Sequence, residues 1–91
     1  MAPRARKLTK SVHSEGQRAF CEAMVAARKK AGLTQYELAD RLRKPQSFVA
    51  KYEGGERRID VVEFVAICQQ LGANPSKLFS AILLKLASAS R

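Results

Sequence analysis

Apolar residues recur along most of this chain with a helical period of three to four, and residues that start or stop helices fall between the recurrences. Ser14 with Gln17 forms a capping-box pair and predicts a helix through about Lys30, with Phe20, Met24, Ala27 and Ala31 as its inward stripe and Gly32 as its terminator. Thr34 with Glu37 repeats the pair and opens a short helix to about Leu42, whose inner face is Leu38, Ala39 and Leu42. Pro45 disfavours helical backbone at Lys44 and breaks the chain there. A third helix is expected from Gln46 to Glu53, stopped at Gly54-Gly55. Asp60 with Glu63 starts a fourth, ended at Leu71 by Gly72. Asn74 caps a fifth, with Pro75 in its first turn, running to about Ala87. No stretch alternates like a strand, so the fold class is all-α.

Ahead of these helices, residues 1–12 hold Arg4, Arg6, Lys7 and Lys10, no acid and one Leu, and read as a basic flexible arm. The expected division is therefore this arm and one domain over residues 13–91, within which the last helix, 75–87, stands apart in character.

Charge changes the picture more than composition does. In 91 residues, 17 Lys and Arg against 8 Asp and Glu give a formal charge of +9. That excess points to a polyanionic partner, nucleic acid or an acidic membrane surface. The basic residues lie across several elements rather than along one helix face, which weighs against the membrane. No apolar run approaches the length a bilayer demands, and no apolar segment follows the basic N-terminus as in a signal peptide, so the expected location is the cytoplasm. Cys21, Cys68 and the single His13 are too few and too scattered for a structural zinc site. No metal or cofactor is expected, and the two cysteines read as ordinary semi-buried thiols. One His with no paired acids near it gives no catalytic constellation.

The second and third helices carry the function. They are short and joined by a turn of Arg43 to Pro45, so they bury little if antiparallel and are expected to cross steeply as a helix-turn-helix over about 34–53. On the third helix, Val49 and Tyr52 share an inward face, while Gln46, Ser47, Ala50 and Lys51 share the outward one. A Gln amide offers a donor beside an acceptor, which matches the adenine edge in the major groove; Ser47 donates or accepts, and Lys51 reaches guanine or a phosphate. Ala50 is small and permits close approach. Arg41, Arg43 and Lys44 on one side, with Arg57 and Arg58 on the other, supply the flanking charge that phosphate contacts require.

Two strings, Ala31-Gly32-Leu33-Thr34-Gln35-x-x-Leu38-Ala39 and Gln46-Ser47-x-Val49-x-Lys51-Tyr52-Glu53-x-Gly55-x-Arg57, resemble the phage-repressor (Xre-type) helix-turn-helix family, the motif spanning roughly residues 17 to 72. The resemblance implies a five-helix, lambda-repressor-like DNA-binding domain. It implies that Gln35 bonds a phosphate and braces Gln46, that Gln46, Ser47 and Lys51 face bases with Ala50 lining the contact, and that residues near Gly54 to Arg58 touch phosphates. It also pairs Arg28 with Glu53 in a partly buried salt bridge between the first and third helices. Two positions depart from the family pattern. Pro45 stands where a Ser or Thr cap is common, and Phe48 stands where a small polar residue is common, leaving it to touch a thymine methyl or, the favoured reading, to fold back onto the domain.

The last helix has more apolar surface than one core-facing stripe needs. With Leu78, Ile82 and Phe79 covering the core, Leu83, Leu84 and Leu86 are left over, and such patches mark contact sites. A twofold homodimer on this helix is expected, with half-sites about 34 Å apart on a palindrome. The chain ends just after this helix, so no effector domain is expected. The function expected is a sequence-specific, double-stranded DNA-binding transcriptional regulator acting as a dimeric repressor. The alternative is an antitoxin-type module whose apolar helix docks a partner toxin protein.

Overall fold

The structure, a computed structural model, describes residues 15–89. The basic arm, His13 and the Ser14 half of the first capping box lie outside the described residues. Within them stand α1 (Glu15–Lys30), α2 (Gln35–Leu42), α3 (Gln46–Glu53), α4 (Val61–Leu71) and α5 (Pro75–Ala89), with no strand among the described residues.

The helix starts follow local hydrogen-bond chemistry. Both internal capping boxes are closed. The Glu37 N–H donates to Thr34 Oγ1 at 3.1 Å while Thr34 N–H donates to Glu37 Oε1 at 2.9 Å. Likewise the Glu63 N–H meets Asp60 Oδ1 at 2.7 Å and Asp60 N–H meets Glu63 Oε1 at 2.9 Å. Each box satisfies two backbone donors that a helix start otherwise leaves open. Asn74 caps α5 through the Lys77 N–H at 3.1 Å. The helix stops are less uniform. Gly72 takes a left-handed φ of 67°, which lets Ala73 N–H bond Cys68 O at 2.9 Å. The end of α2 is different: Arg43 itself adopts the left-handed conformation, φ 57°, and Lys44 N–H closes on Ala39 O at 3.0 Å. The chain therefore turns two residues before Pro45, and a non-glycine residue bears a conformation that disfavours side chains.

The core gathers Met24, Leu38, Val49, Tyr52, Ile67 and Ile82, all essentially without solvent contact. α5 packs most extensively on α1, with Leu86 lying over Gly16; a Cβ at Gly16 would come within 3.3 Å of it. That close approach explains why α1 buries Ala19 and Ala23, which lie outside the expected stripe. Ala31, expected inside, is exposed because α1 ends at Lys30 and the chain has already left the helix. One helix serves two neighbours here, α5 on one side and α3 on the other, so its apolar arc is wider than a single stripe.

On α5 two assignments exchange places. Leu86, expected on the contact face, is half-buried against the core with Leu78, while Phe79, expected on the core, is 53% exposed. Residues 78, 82 and 86 form one i, i+4 row, and that row faces inward; Phe79 and Leu83 belong to the next row and face out. Leu84, 74% exposed, stays outside as expected.

Candidate nucleic-acid interface

α3 is anchored by Val49 and Tyr52, which are fully buried, and this fixes which of its faces remains outside. Ser47 and Lys51 are exposed, and Gln46 and Ala50 are half-exposed on the same side. Arg43, Lys44 and Arg58 are exposed around them. The Phe48 ring folds back: it is partly buried, packs on the core and meets the Tyr52 ring edge-on with centroids 5.5 Å apart.

Behind the outward face runs a chain of four polar side chains from α1, α2 and α3. Arg28 Nε donates to Glu53 Oε2 at 2.8 Å and its NH2 group to Oε1 at 3.1 Å, while NH1 donates to the Leu33 carbonyl at 2.7 Å. Gln35 Nε2 donates to Glu53 Oε1 at 2.9 Å. Gln46 Nε2 in turn donates to Gln35 Oε1 at 2.8 Å. The pair at the root is buried, with side-chain exposures of 10% for Arg28 and 3% for Glu53. The bond to Glu53 pushes the Arg28 guanidinium further above its ordinary value.

The order of donors along this chain is dictated by its root. A carboxylate only accepts, so Gln35 must turn its NH2 towards Glu53 and its oxygen towards Gln46. Gln46 must then turn its NH2 towards Gln35. One N–H and the carbonyl oxygen of Gln46 are left to face outward, a donor and an acceptor in fixed order. Both glutamines are the first residues of their helices, which places them side by side at the mouth of the turn.

The flanking cations divide. Lys44 Nζ lies 5.6 Å from the centre of the Phe48 ring. Arg57, expected on a phosphate, is engaged inside the chain. NH2 donates to Glu63 Oε2 at 2.9 Å, NH1 to Glu63 Oε1 at 3.2 Å and to the Arg58 carbonyl at 2.8 Å. Its guanidinium sits 4.8 Å from the Phe48 ring centre. The bond from Arg57, with the Asp60 N–H, holds the Glu63 carboxyl below its ordinary range. Arg41 is also engaged, through NH1 to the Gln70 carbonyl at 3.1 Å. Sequence reasoning missed the Arg57–Glu63 pair because Glu63 already had a role in the capping box. Their spacing of six residues across a helix start carries no periodic signal.

The cysteines are buried and unpaired with each other. Cys21 Sγ donates to the Tyr52 carbonyl at 3.2 Å, which ties α1 to α3, and burial pushes both thiols above their ordinary values. Among the described residues, no group of metal-binding side chains gathers.

A helix-turn-helix family matches residues 25–78. Among solved structures the chain is similar to an XRE-family like protein from Pseudomonas syringae pv. tomato str. DC3000, at 44% identity and a TM-score of 0.73, over 82% of this chain and 92% of that one. It is also similar to the clp gene regulator ClgR from Corynebacterium glutamicum, at 21% identity and a TM-score of 0.73, over 82% of this chain and 80% of that one. A second ClgR structure gives 22% identity and a TM-score of 0.67, over 84% and 94%. At that identity ClgR speaks for the fold alone. No curated protein matches the chain.

Proposed function

The chain belongs to the XRE family of helix-turn-helix proteins, and on that premise we propose that it is a DNA-binding regulator of transcription that reads double-stranded DNA through the major groove with α3. The observation that carries this reading is the ordered donor chain ending at Gln46. A surface glutamine with no task does not need a buried ion pair and a second glutamine to set its polarity. A fixed donor beside a fixed acceptor suits the N7 and N6 groups of adenine. Ser47 and Lys51 extend the base-facing surface, and Ala50 permits close approach. Arg43, Lys44 and Arg58, with Gln35 beside the turn, are the proposed backbone-positioning groups.

The finer reading is a homodimer acting as a repressor on a palindromic operator. An eight-residue recognition helix spans too few base pairs to be selective alone, and α5 presents Phe79, Leu83 and Leu84 to solvent in support of a twofold contact. Removal of α5 would not test this, because Leu78, Ile82 and Leu86 belong to the core. Leu84→Lys is the cleaner variant. It is expected to keep the fold and yield a monomer in analytical ultracentrifugation, with operator affinity lowered at least tenfold; a Leu84→Lys dimer of unchanged stability would refute the α5 interface. No helix among the described residues is long and apolar enough to cross a membrane, and a cytoplasmic location is part of the proposal.

The test of the whole reading is selection of bound duplexes from a random pool. The expected result is an enriched motif with two inverted half-sites about one helical turn apart, each containing an adenine sensitive to Gln46. If each chain neutralises about four phosphates, the dimer's log-log salt slope is about −7. Enrichment of no sequence, together with a slope near zero, would refute the proposal.

A further inference from the structure

Resting on the DNA-binding reading above, we propose that Arg57 is a positioning residue that acts through Phe48 and Glu63, and that it is not one of the phosphate-neutralising cations of the interface. By type and place it is an obvious phosphate ligand, which is how the sequence and the family resemblance present it. The geometry gives it other work. Its guanidinium joins three elements at once. It pairs through two nitrogens with Glu63 in the first turn of α4, bonds the Arg58 carbonyl in the connecting loop, and stacks over the Phe48 ring on α3. Residues 54–60 thereby acquire a strut between the recognition helix and α4. A second set of bonds secures the near end of the same loop, where Glu56 and Arg57 N–H groups both reach the Lys51 carbonyl at 2.8 and 3.2 Å.

The charge balance argues the same way. Beside a polyanion, moving Arg57 onto a phosphate would gain one neutralised phosphate and leave the Glu63 carboxylate uncompensated next to the same backbone. A two-nitrogen arginine–carboxylate contact is among the stronger ion-pair geometries, and the ring face adds a cation–π contact. The closed pair is the arrangement that DNA would also favour. What the strut supplies to binding is the position of the loop backbone and of Arg58, and a fixed Phe48 ring that stays out of the groove.

The two roles predict different salt slopes for one charge-balanced double variant. Gln serves the N3 position of a capping box as well as Glu does, so Glu63→Gln removes charge while α4 keeps its start. If Arg57 is a strut, the double variant Arg57→Gln with Glu63→Gln, which removes one charge of each sign, weakens binding to the selected operator and to random duplex by about two- to tenfold and leaves the salt slope unchanged. If Arg57 is a phosphate ligand, the same double variant flattens the slope by about 0.9 per chain. That result overturns the proposal, as does unchanged affinity of the double variant.

A second measurement needs no DNA. In the free full-length protein, the Arg57 Nη protons, which make the bonds to Glu63, should exchange slowly and its Cδ protons should carry the Phe48 ring-current shift, both lost in Glu63→Gln. Exchange as fast as a solvated arginine's would overturn the strut even if DNA binding is normal. Absence of any duplex binding would instead fell the regulator reading and the positioning role with it, while the free-protein spectrum still reports the pair.

Discussion

Two ion pairs flank the recognition helix, and they are built for different ends. Arg28–Glu53 lies behind α3, buried, with contacts at 2.8 and 3.1 Å and further bonds to Leu33 and Gln35. Arg57–Glu63 lies in front of it, with side-chain exposures of 41% and 25% and contacts at 2.9 and 3.2 Å. Distance hardly separates them; surroundings do. A buried pair carries a large desolvation cost and is held only because its remaining donors and acceptors are satisfied, so losing one partner strands a charge. A surface pair lies in a medium that screens it and contributes little to stability. The lesson is that the rear pair ties stability to the order of donors at Gln46, while the front pair ties loop position to binding with little effect on the fold.

The largest effect should come from breaking the rear pair on one side. Arg28→Ala or Glu53→Ala is expected to lower unfolding free energy by about 3–5 kcal/mol in denaturant titrations. A loss under 1 kcal/mol would mean that water reaches the pair and that the comparison with the front one fails. Replacing both partners with apolar residues, Arg28→Met with Glu53→Leu, sharpens the point. Much of the stability should return, because no stranded charge remains. Preference for adenine should not return, because nothing then dictates which way Gln35 and Gln46 turn.

Next in size is the end of that chain. Gln46→Ala should leave the unfolding midpoint nearly unchanged and cost about 1–3 kcal/mol on the selected operator, with preference relaxed at one base position. Gln35→Ala should relax the same position by a smaller amount, since Gln46 keeps its amide but loses its brace. Equal losses on operator and random duplex, read by competition binding, would contradict base reading by Gln46.

How much of this was legible in the residues follows a physical line. Helix starts at Thr34, Asp60 and Asn74 could be read because a capping side chain bonds backbone within three residues, a relation entirely local in the chain. The inward face of α3 could be read from Val49 and Tyr52 for the same reason of periodicity. The partnership of Arg28 with Glu53, 25 residues apart, came through family resemblance and not from spacing. Three features had no such local signal. Arg43 takes the left-handed turn although Pro45 looks like the break, and the α2 end closes there through Arg43 and Lys44 N–H bonds to the Asp40 and Ala39 carbonyls. Leu86 and Phe79 exchange faces because α5 is apolar on more than one row, and only its packing on α1 selects 78, 82 and 86. Arg57 finds Glu63 across a loop whose path the sequence does not reveal.

The smallest effect expected belongs to the front pair, and pH exposes it. Glu63 is held below its ordinary carboxyl range, chiefly by the bond from Arg57 and then by the Asp60 N–H. A depressed folded-state value means that the unfolded chain binds the proton more readily. The stability contributed is therefore fully present above the unfolded carboxylate range, near pH 4.5, and is lost as pH falls through the lower folded value. Both side chains are partly in water and screened, so the contribution should be small. Glu63→Gln should lose this small contribution in full at pH 7 and converge on the wild-type chain as pH falls towards 3, where Glu63 is protonated. The pair should also weaken between low and high salt, since ions reach it, whereas the Arg28–Glu53 contribution should not. Denaturant midpoints for the wild-type chain and Glu63→Gln, measured from pH 3 to 7 at two ionic strengths, decide the matter. Parallel curves throughout would mean that Glu63 gains nothing from Arg57 in the folded chain, and the front pair would then be a contact without energetic content.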